Sequence, residues 1–426
     1  MFYGWRIVGV AFVTHFISVG FIFYSYGVFQ DHLITGLNSN RFEVSIGLSL
    51  MNVANGLFAP FLGRLLDRYS TRLIMCIGAT SMAAGLYLAS RITEVWHLYL
   101  LLGTVLGLGA GAIGAIPSTG IVANWFIKQR GKALGISTMG VSLSGMVMVP
   151  LSAQLIHTYG WRETFVIYSV ITLVAVVPLV WLVVVKRPED MGQCPDGDCP
   201  EDQARPEDAT EPVIPVGSGD TFLDHPGHLE WSTLRALREP NFWAIVIAVG
   251  LNFFGLSAIL THMVQHALDL GFSPTREAPF IVAVSAGVGV IGKVLFGWIT
   301  DHTSTRSAFW LAIAFEAVGT IMMIGGTSFG IIVAAASIFG FGMGGVVPIY
   351  ASLVADYFGR KSFGRVTGMM SVCMLPIQTT GVPLAGYIAD RTGNYDLAYG
   401  IFTGTFVLSA LVLVILDKTR LHDERI

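Results

Sequence analysis

Lys293 stands near the end of the stretch GVGVIGKV, residues 287–294. Gly287, Gly292 and Lys293 reproduce most of a phosphate-binding loop, in which backbone N–H groups cradle phosphates and the lysine reaches them. Val294 occupies the place where that loop needs Ser or Thr to hold magnesium. The flanks, FIVAVSAGVGVIGKVLFGWIT, are apolar on both sides, and about 20 apolar residues make a membrane-helix candidate. The nucleotide reading fails on both counts. What remains is a lysine inside a bilayer-length helix, where a charge costs at least ~2.5–3.5 kcal/mol. Gly289 and Gly297, one turn away on either side, and Ala286, two turns before, leave room for a ligand or a neighbouring helix. Three roles are open: a ligand anchor, a side chain snorkelling to the interface, or a structural ion pair between helices.

Other polar groups interrupt apolar runs. Asn252 and His262 lie on one helical stripe with Gly255 and Ile259, and His266 continues it. Histidine titrates near pH 6.5, so His262 is either a substrate contact and proton acceptor or a hydrogen-bond partner for a neighbouring helix. His15, Ser18, Ser25 and Tyr26 form a polar stripe near the N-terminus, with Tyr24 beside it. His15 joins His262 and Lys293 as a candidate for proton coupling. Pro348 and Tyr350 break another run, and the phenol either bonds a ligand or caps a kink. Asn52, Asn55 and Gln378 read as interhelical hydrogen bonds worth ~0.6 kcal/mol each. Glu316 is either a packing hydrogen bond or a proton site.

The elements that must position these groups follow from composition. The 426 residues are 53% hydrophobic and 12% charged, against roughly 25% charged in a soluble domain. Most of the chain therefore lies in lipid. The net charge of −3 suggests no nucleic-acid partner. Four cysteines make no disulfide scaffold. Cys194 and Cys199 in CPDGDC offer two metal ligands without a second pair, so the segment reads as a loop turn. No metal or cofactor is expected, and no nucleophile–base pair speaks for an enzyme.

Twelve apolar spans can be marked: 5–29, 44–66, 73–90, 97–122, 132–156, 162–185, 241–266, 279–300, 307–326, 329–352, 365–388 and 397–416. The first follows MFYGWR without a small-residue cleavage site and reads as a retained helix. Residues 186–240 differ in kind, being acidic and rich in Pro and Gly, and read as a linker that cannot fold alone. The expected division is an N-terminal six-helix bundle (1–185), a cytoplasmic linker (186–240) and a C-terminal six-helix bundle (241–426).

The two halves repeat. Gly63, Asp67 and Arg72 recur 234 residues later as Gly297, Asp301 and Arg306. Gly107, Gly109 and Gly111 recur as Gly340, Gly342 and Gly344, and Pro150 as Pro383. A six-plus-six duplication marks a transporter whose halves rock about a central site. With the N-terminus inside, the inner loops and ends carry 19 of the 25 Lys and Arg residues. The positive-inside rule then puts both termini and the linker in the cytoplasm.

The loop GRLLDRYSTR and its weaker copy GWITDHTSTR resemble the signature loop of the major facilitator superfamily, and the resemblance covers essentially the whole chain. YGWRIV, WFIKQRGKALGI, GWRETF, RPEDMG and THMVQHALDLGFSP are similar to the bacterial branch holding monocarboxylate transporters and oxalate/formate-type carriers. The resemblance implies an all-α membrane fold of two pseudo-symmetric six-helix bundles. Helices 1, 4, 7 and 10 would line the cavity, and a basic residue on helix 8, here Lys293, would pair with a substrate carboxylate. Two features depart from the animal monocarboxylate transporters, which carry an aspartate where Gly289 stands and a helix 1 lysine where Phe23 stands. The expected function is proton-coupled, alternating-access transport of a small organic anion such as lactate, pyruvate or acetate across a bacterial inner membrane, by a monomer. Lys293, His262, Asn252, Tyr350 and Tyr24 would bind the substrate. Asp67, Arg68, Arg72 and Arg130, with Asp301 and Arg306 in the second half, would gate, because a carboxylate at a helix end can cap a neighbouring helix in one conformation only. The alternatives are an oxalate/formate-type exchanger, or a drug or neutral-solute carrier in which Lys293 is structural.

Overall fold

Within a bilayer each backbone N–H and C=O must find a partner inside its own segment, which leaves the helix as the open-chain solution. The computed structural model describes residues 2–127, 129–197, 233–358 and 363–415, and among them there is no strand. Most of the expected linker, Cys199 included, lies outside the described residues, as do the side chains of Asp67, Arg130 and Asp301.

Helix 1 runs Gly4–Ser18, a π-helical segment Val19–Tyr24 and Tyr26–Gly36. Helices 2 and 3 are Arg41–Arg68 and Thr71–Ala89. Helix 4 comprises Val95–Leu101, a π segment Leu102–Leu106, Gly107–Ile113 and Ala115–Trp125. Helix 5 is Arg130–Tyr159, and helix 6 is Trp161–Ile171, a π segment Thr172–Val176 and Val177–Val183. After a short helix Thr233–Arg238 come helices 7 (Pro240–Asp269), 8 (Glu277–His302), 9 (Thr305–Met323) and 10 (Phe329–Phe358). Helix 11 is Phe363–Gln378 followed by Gly381–Thr392, and helix 12 is Asp396–Val412. Eleven of the twelve are long and apolar enough to cross a membrane, and the twelfth is a shorter apolar helix. At 1.5 Å per residue its 17 residues reach roughly 25 Å.

The glycines seen as a repeat are matched helix contacts. A Cβ on Gly109 would meet Gly78 O of helix 3, and one on Gly342 would meet Ala312 O of helix 9. Gly111 presses on Asn55 of helix 2, and Gly344 on Gly289 of helix 8. Gly107 packs on Met51, and Gly340 on Ser285. These partners, like the glycines themselves, stand 234 or 233 residues apart. The glycines of GVGVIGKV thus have a packing reason: Gly289 and Gly292 lie against the backbone of Gly340 and Phe341. Small residues let helices approach where lipid supplies no hydrophobic drive between them. Gly344→Ala should lower the melting temperature in detergent, at a cost of about 1–3 kcal/mol for overpacking against backbone. Gly297→Ala, whose Cβ meets nothing within 4 Å, is the matched control.

Helix 5 packs on helix 8, helix 2 on helix 11 and helix 1 on helix 7, and these three pairs join the halves. Span 365–388 was expected as one helix, and the chain instead breaks at Thr379–Thr380. The reason is Pro383, which has no N–H to give Thr379 O, four residues earlier. Ser49 Oγ of helix 2 donates to that carbonyl at 2.6 Å, so a helix defect becomes a link between halves.

Candidate functional site

Lys293 is half-buried, and its Nζ donates to Ser142 Oγ of helix 5 at 2.5 Å. Among the described residues no carboxylate lies within ion-pair distance of it; their one acid–base pair is Arg41 with Asp269. His15 of helix 1 is fully buried, and neither of its ring nitrogens has a hydrogen-bond partner. It lies close enough to Lys293 to feel that charge, beside the backbone of Ala11 and Ser137. The Tyr24 ring lies against Gly145 of helix 5, whose missing Cβ would also meet Ala286 of helix 8. Helices 1, 5 and 8 therefore bring a cation and an imidazole near each other, with the Tyr24 ring farther along the same helix interface. A cation whose hydrogen bond goes to a neutral hydroxyl has charge left to meet an anion.

Beside this cluster lies a cavity of about 350 Å³ between helices 1, 2 and 4. Phe23, Met51 and Phe58 line it, with Ser18, Asn52 and Asn55 as its polar groups. Tyr350 of helix 10 is half-buried with an unpartnered hydroxyl, and Ser371 of helix 11 is near it.

Asn252 is fully buried, and its Nδ2 donates to Glu316 Oε2 of helix 9 at 2.5 Å. That bond commits its amide donor within the C-terminal half. Ser25 and Tyr26 are likewise engaged in packing. Ser25 Oγ donates to Gly20 O at 2.6 Å, across the π segment, and joins Ser152 and Tyr168 in a buried hydroxyl chain. Tyr26 donates to Val44 O at 2.5 Å.

His262 is the centre of a different structure. Its Nδ1 is 3.0 Å from the Tyr395 hydroxyl and 3.4 Å from Gln30 Nε2, and its Nε2 is 3.0 Å from Val382 O and 3.2 Å from Ser45 Oγ. Helices 1, 2, 7 and 11 and the loop before helix 12 meet on this one ring. Farther toward the face opposite the N-terminus, Arg41 makes a bidentate pair with Asp269, both bonds 2.6 Å. Its guanidinium lies over the Tyr395 ring. Asp390 accepts the backbone N–H groups of Arg41 (3.3 Å) and Phe42 (3.0 Å), which caps helix 2 from the other half. A carboxylate there meets the positive end of the helix dipole.

This cap was expected from Asp67, at the other face; the Asp67 side chain lies outside the described residues, as do those of Arg130 and Asp301. Arg68 is exposed. Arg72 Nε donates to Val184 O at 2.8 Å, within its own half. Together with Tyr3 on Val183 O, Trp125 on Val185 O and Asn124 on Lys186 O, it holds the carbonyls of the last residue of helix 6 and the three residues that follow. Arg306 is half-buried at the start of helix 9.

Arg41, Asp269, Asp390, Gln30 and Tyr395 were not singled out from sequence. The signal for Arg41, Asp269 and Asp390 was a charge at the end of an apolar span, on the same face, and Gln30 and Tyr395 carried none.

The family profile described as Major Facilitator Superfamily matches residues 10–375 and 290–425. Monocarboxylate transporter 13 of Bos taurus is 26% identical over 410 residues, which cover 96% of this chain and 87% of that protein. Monocarboxylate transporter 2 of Homo sapiens is 25% identical over 423 residues, covering 98% and 85%. Among solved structures, a mutant of the nucleoside transporter NupG superposes with a TM-score of 0.73 at 12% identity, covering 97% of this chain and 100% of that one. A bacterial homolog of the human lysosomal transporter Spinster, inward-facing and unoccupied, gives 0.65 at 17% identity, covering 97% and 95%.

Proposed function

The chain belongs to the major facilitator superfamily and is a multi-pass membrane transporter, and from that footing we propose that it carries a small monocarboxylate, such as lactate, pyruvate or acetate, together with a proton. The observation that carries this is Lys293: a cation in a membrane helix with a neutral hydroxyl as its hydrogen-bond partner and no carboxylate in reach among the described residues. A substrate carboxylate supplies the missing counter-charge and takes over the Ser142 bond. The similarity to monocarboxylate transporters supports the same class.

His15 is the proton carrier in this reading. Its ring makes no hydrogen bond to another side chain, whereas both nitrogens of His262 are engaged in the helix contacts. Tyr24 and Tyr350 border the substrate, and Asn252 serves packing through Glu316.

With lysine and arginine concentrated on the N-terminal face, the protein sits in the bacterial inner membrane with both termini and the linker cytoplasmic. The contacts of His262, Arg41 and Asp390 then seal the outer side, and substrate leaves toward the cytoplasm. Asp67, Arg68, Arg130 and Asp301 would form the corresponding inner contacts when the halves rock the other way.

The test is uptake of radiolabelled L-lactate, pyruvate and acetate into proteoliposomes, with and without an inward proton gradient. Gradient-driven accumulation is expected. Equal uptake with the gradient collapsed would remove the proton from the reaction, and absence of uptake for all three acids would remove the monocarboxylate.

A further inference from the structure

Going beyond the monocarboxylate reading, we infer that Glu316 of helix 9 is a proton-binding site: its carboxyl group carries a proton in this conformation, and that proton closes a two-bond ring with Asn252 that ties helix 7 to helix 9.

Glu316 and Asn252 are both fully buried. Asn252 Nδ2 donates to Glu316 Oε2 at 2.5 Å. The other oxygen of each group, Glu316 Oε1 and Asn252 Oδ1, is buried without a hydrogen-bond partner. An ionised carboxylate only accepts, so a charged Glu316 leaves two buried acceptors with no donor between them. One proton supplies the donor that both lack. Glu316 Oε1–H then donates to Asn252 Oδ1 while Asn252 Nδ2 donates to Oε2. Turning the Asn252 amide over exchanges the two bonds and keeps the ring.

The surroundings offer nothing to hold a charge. Lys293 of helix 8 donates to Ser142, and His262 of helix 7 meets Tyr395. The Tyr350 hydroxyl of helix 10 and the Tyr399 hydroxyl of helix 12 bond nothing. Asp356 and Asp396 sit at the two ends of helix 9, on Thr305 and Gly325 N. Only burial and the Asn252 bond act on Glu316. Helix 10 closes over it, since a Cβ on Gly342 would lie 3.0 Å from its Cγ. A buried carboxylate with no cation takes up a proton. The ring also matters to the seal, because Asn252 stands ten residues before His262 on the same helix.

The experiment uses the purified full chain in detergent. Glutamine is neutral at every pH and offers one donor and one acceptor, so Glu316→Gln keeps the ring and lacks the proton. The infrared spectrum of the wild type minus that of Glu316→Gln at neutral pH should show a protonated-carboxyl band. Asn252→Leu should move that band to higher frequency, because the carbonyl oxygen loses its donor; this variant carries the test if Glu316→Gln does not fold. The pH dependence has a definite sign. The unfolded carboxyl ionises near pH ~4.3 while the folded one stays neutral, so the wild type loses stability as pH rises. The loss is about ten-fold in the folding equilibrium per pH unit, until the folded group also ionises. The melting temperature of the wild type should therefore match Glu316→Gln in acid and fall progressively below it as pH rises. Carboxylate bands in place of the protonated one, a band that sodium abolishes, a band that Asn252→Leu leaves in place, or parallel melting curves for wild type and Glu316→Gln would each overturn the inference. None of these outcomes depends on which solute is carried.

Discussion

Lys293→Ala should lower the affinity for monocarboxylates at least ~100-fold and bring gradient-driven uptake to background. A hydrogen bond to a charged group contributes about 1.5–3 kcal/mol, and each 1.4 kcal/mol is ten-fold in binding. The loss is larger than the bond alone, because the substrate carboxylate would enter a low-dielectric site with no cation to meet it. Ser142, the hydroxyl that now accepts from Lys293, cannot replace that charge. Lys293→Arg separates charge from shape: a guanidinium keeps the charge but presents a planar fork in place of a compact ammonium, so part of the activity should return. The checks are equilibrium binding and proteoliposome uptake on protein shown to be monodisperse. Full uptake by Lys293→Ala would assign the lysine to the contact between helices 5 and 8 and favour a neutral-solute carrier.

The second large effect is expected at His262. Replacement by leucine should open the face opposite the N-terminus. The ring joins Gln30, Ser45, Val382 O and Tyr395 from both halves at 3.0–3.4 Å. Removing it takes this partner from the buried Tyr395 hydroxyl and Val382 O, at a cost of about 1–3 kcal/mol for each group left unpaired, while Ser45 and Gln30 keep each other. That cost falls on the sealed conformation, in which those groups meet, so the equilibrium moves toward the conformation that parts them. The Arg41–Asp269 pair keeps 21% and 25% of its side-chain surface exposed, so water partly screens it and even this bidentate pair contributes on the order of 1 kcal/mol. Arg41→Ala should therefore open the seal much less than His262→Leu. The measurement is the rate at which a membrane-impermeant thiol reagent labels Thr379→Cys, a buried site behind the seal. At least ten-fold faster labelling is expected in the His262→Leu background. An unchanged rate would show that His262 packs without gating.

Sequence by itself determined the number and order of the helices, the internal duplication and the charge buried in helix 8. Each of these is written locally. An apolar run of bilayer length must be helical, a matched offset of Gly and Asp–Arg positions signals two copies, and a lone lysine between glycines stands out against its neighbours. The family was legible for the same reason, in the loop GRLLDRYSTR.

The tertiary structure alone decided the partners. Periodicity tells which face of a helix is buried, not which helix lies against it. Asn252 and His262 share a stripe ten residues long, yet one turns to Glu316 and the other to Tyr395 and Ser45. Arg72, expected at a gate, holds the end of helix 6. Ser25, one of the polar stripe on helix 1, closes a π segment and meets Ser152. Arg41 and Asp269 lie 228 residues apart, at the ends of helices in different halves, and no local pattern announces their bidentate pairing. Contacts between halves depend on how two bundles dock, which no single helix writes into its own sequence. The helices are encoded once, whereas the contacts belong to a conformation.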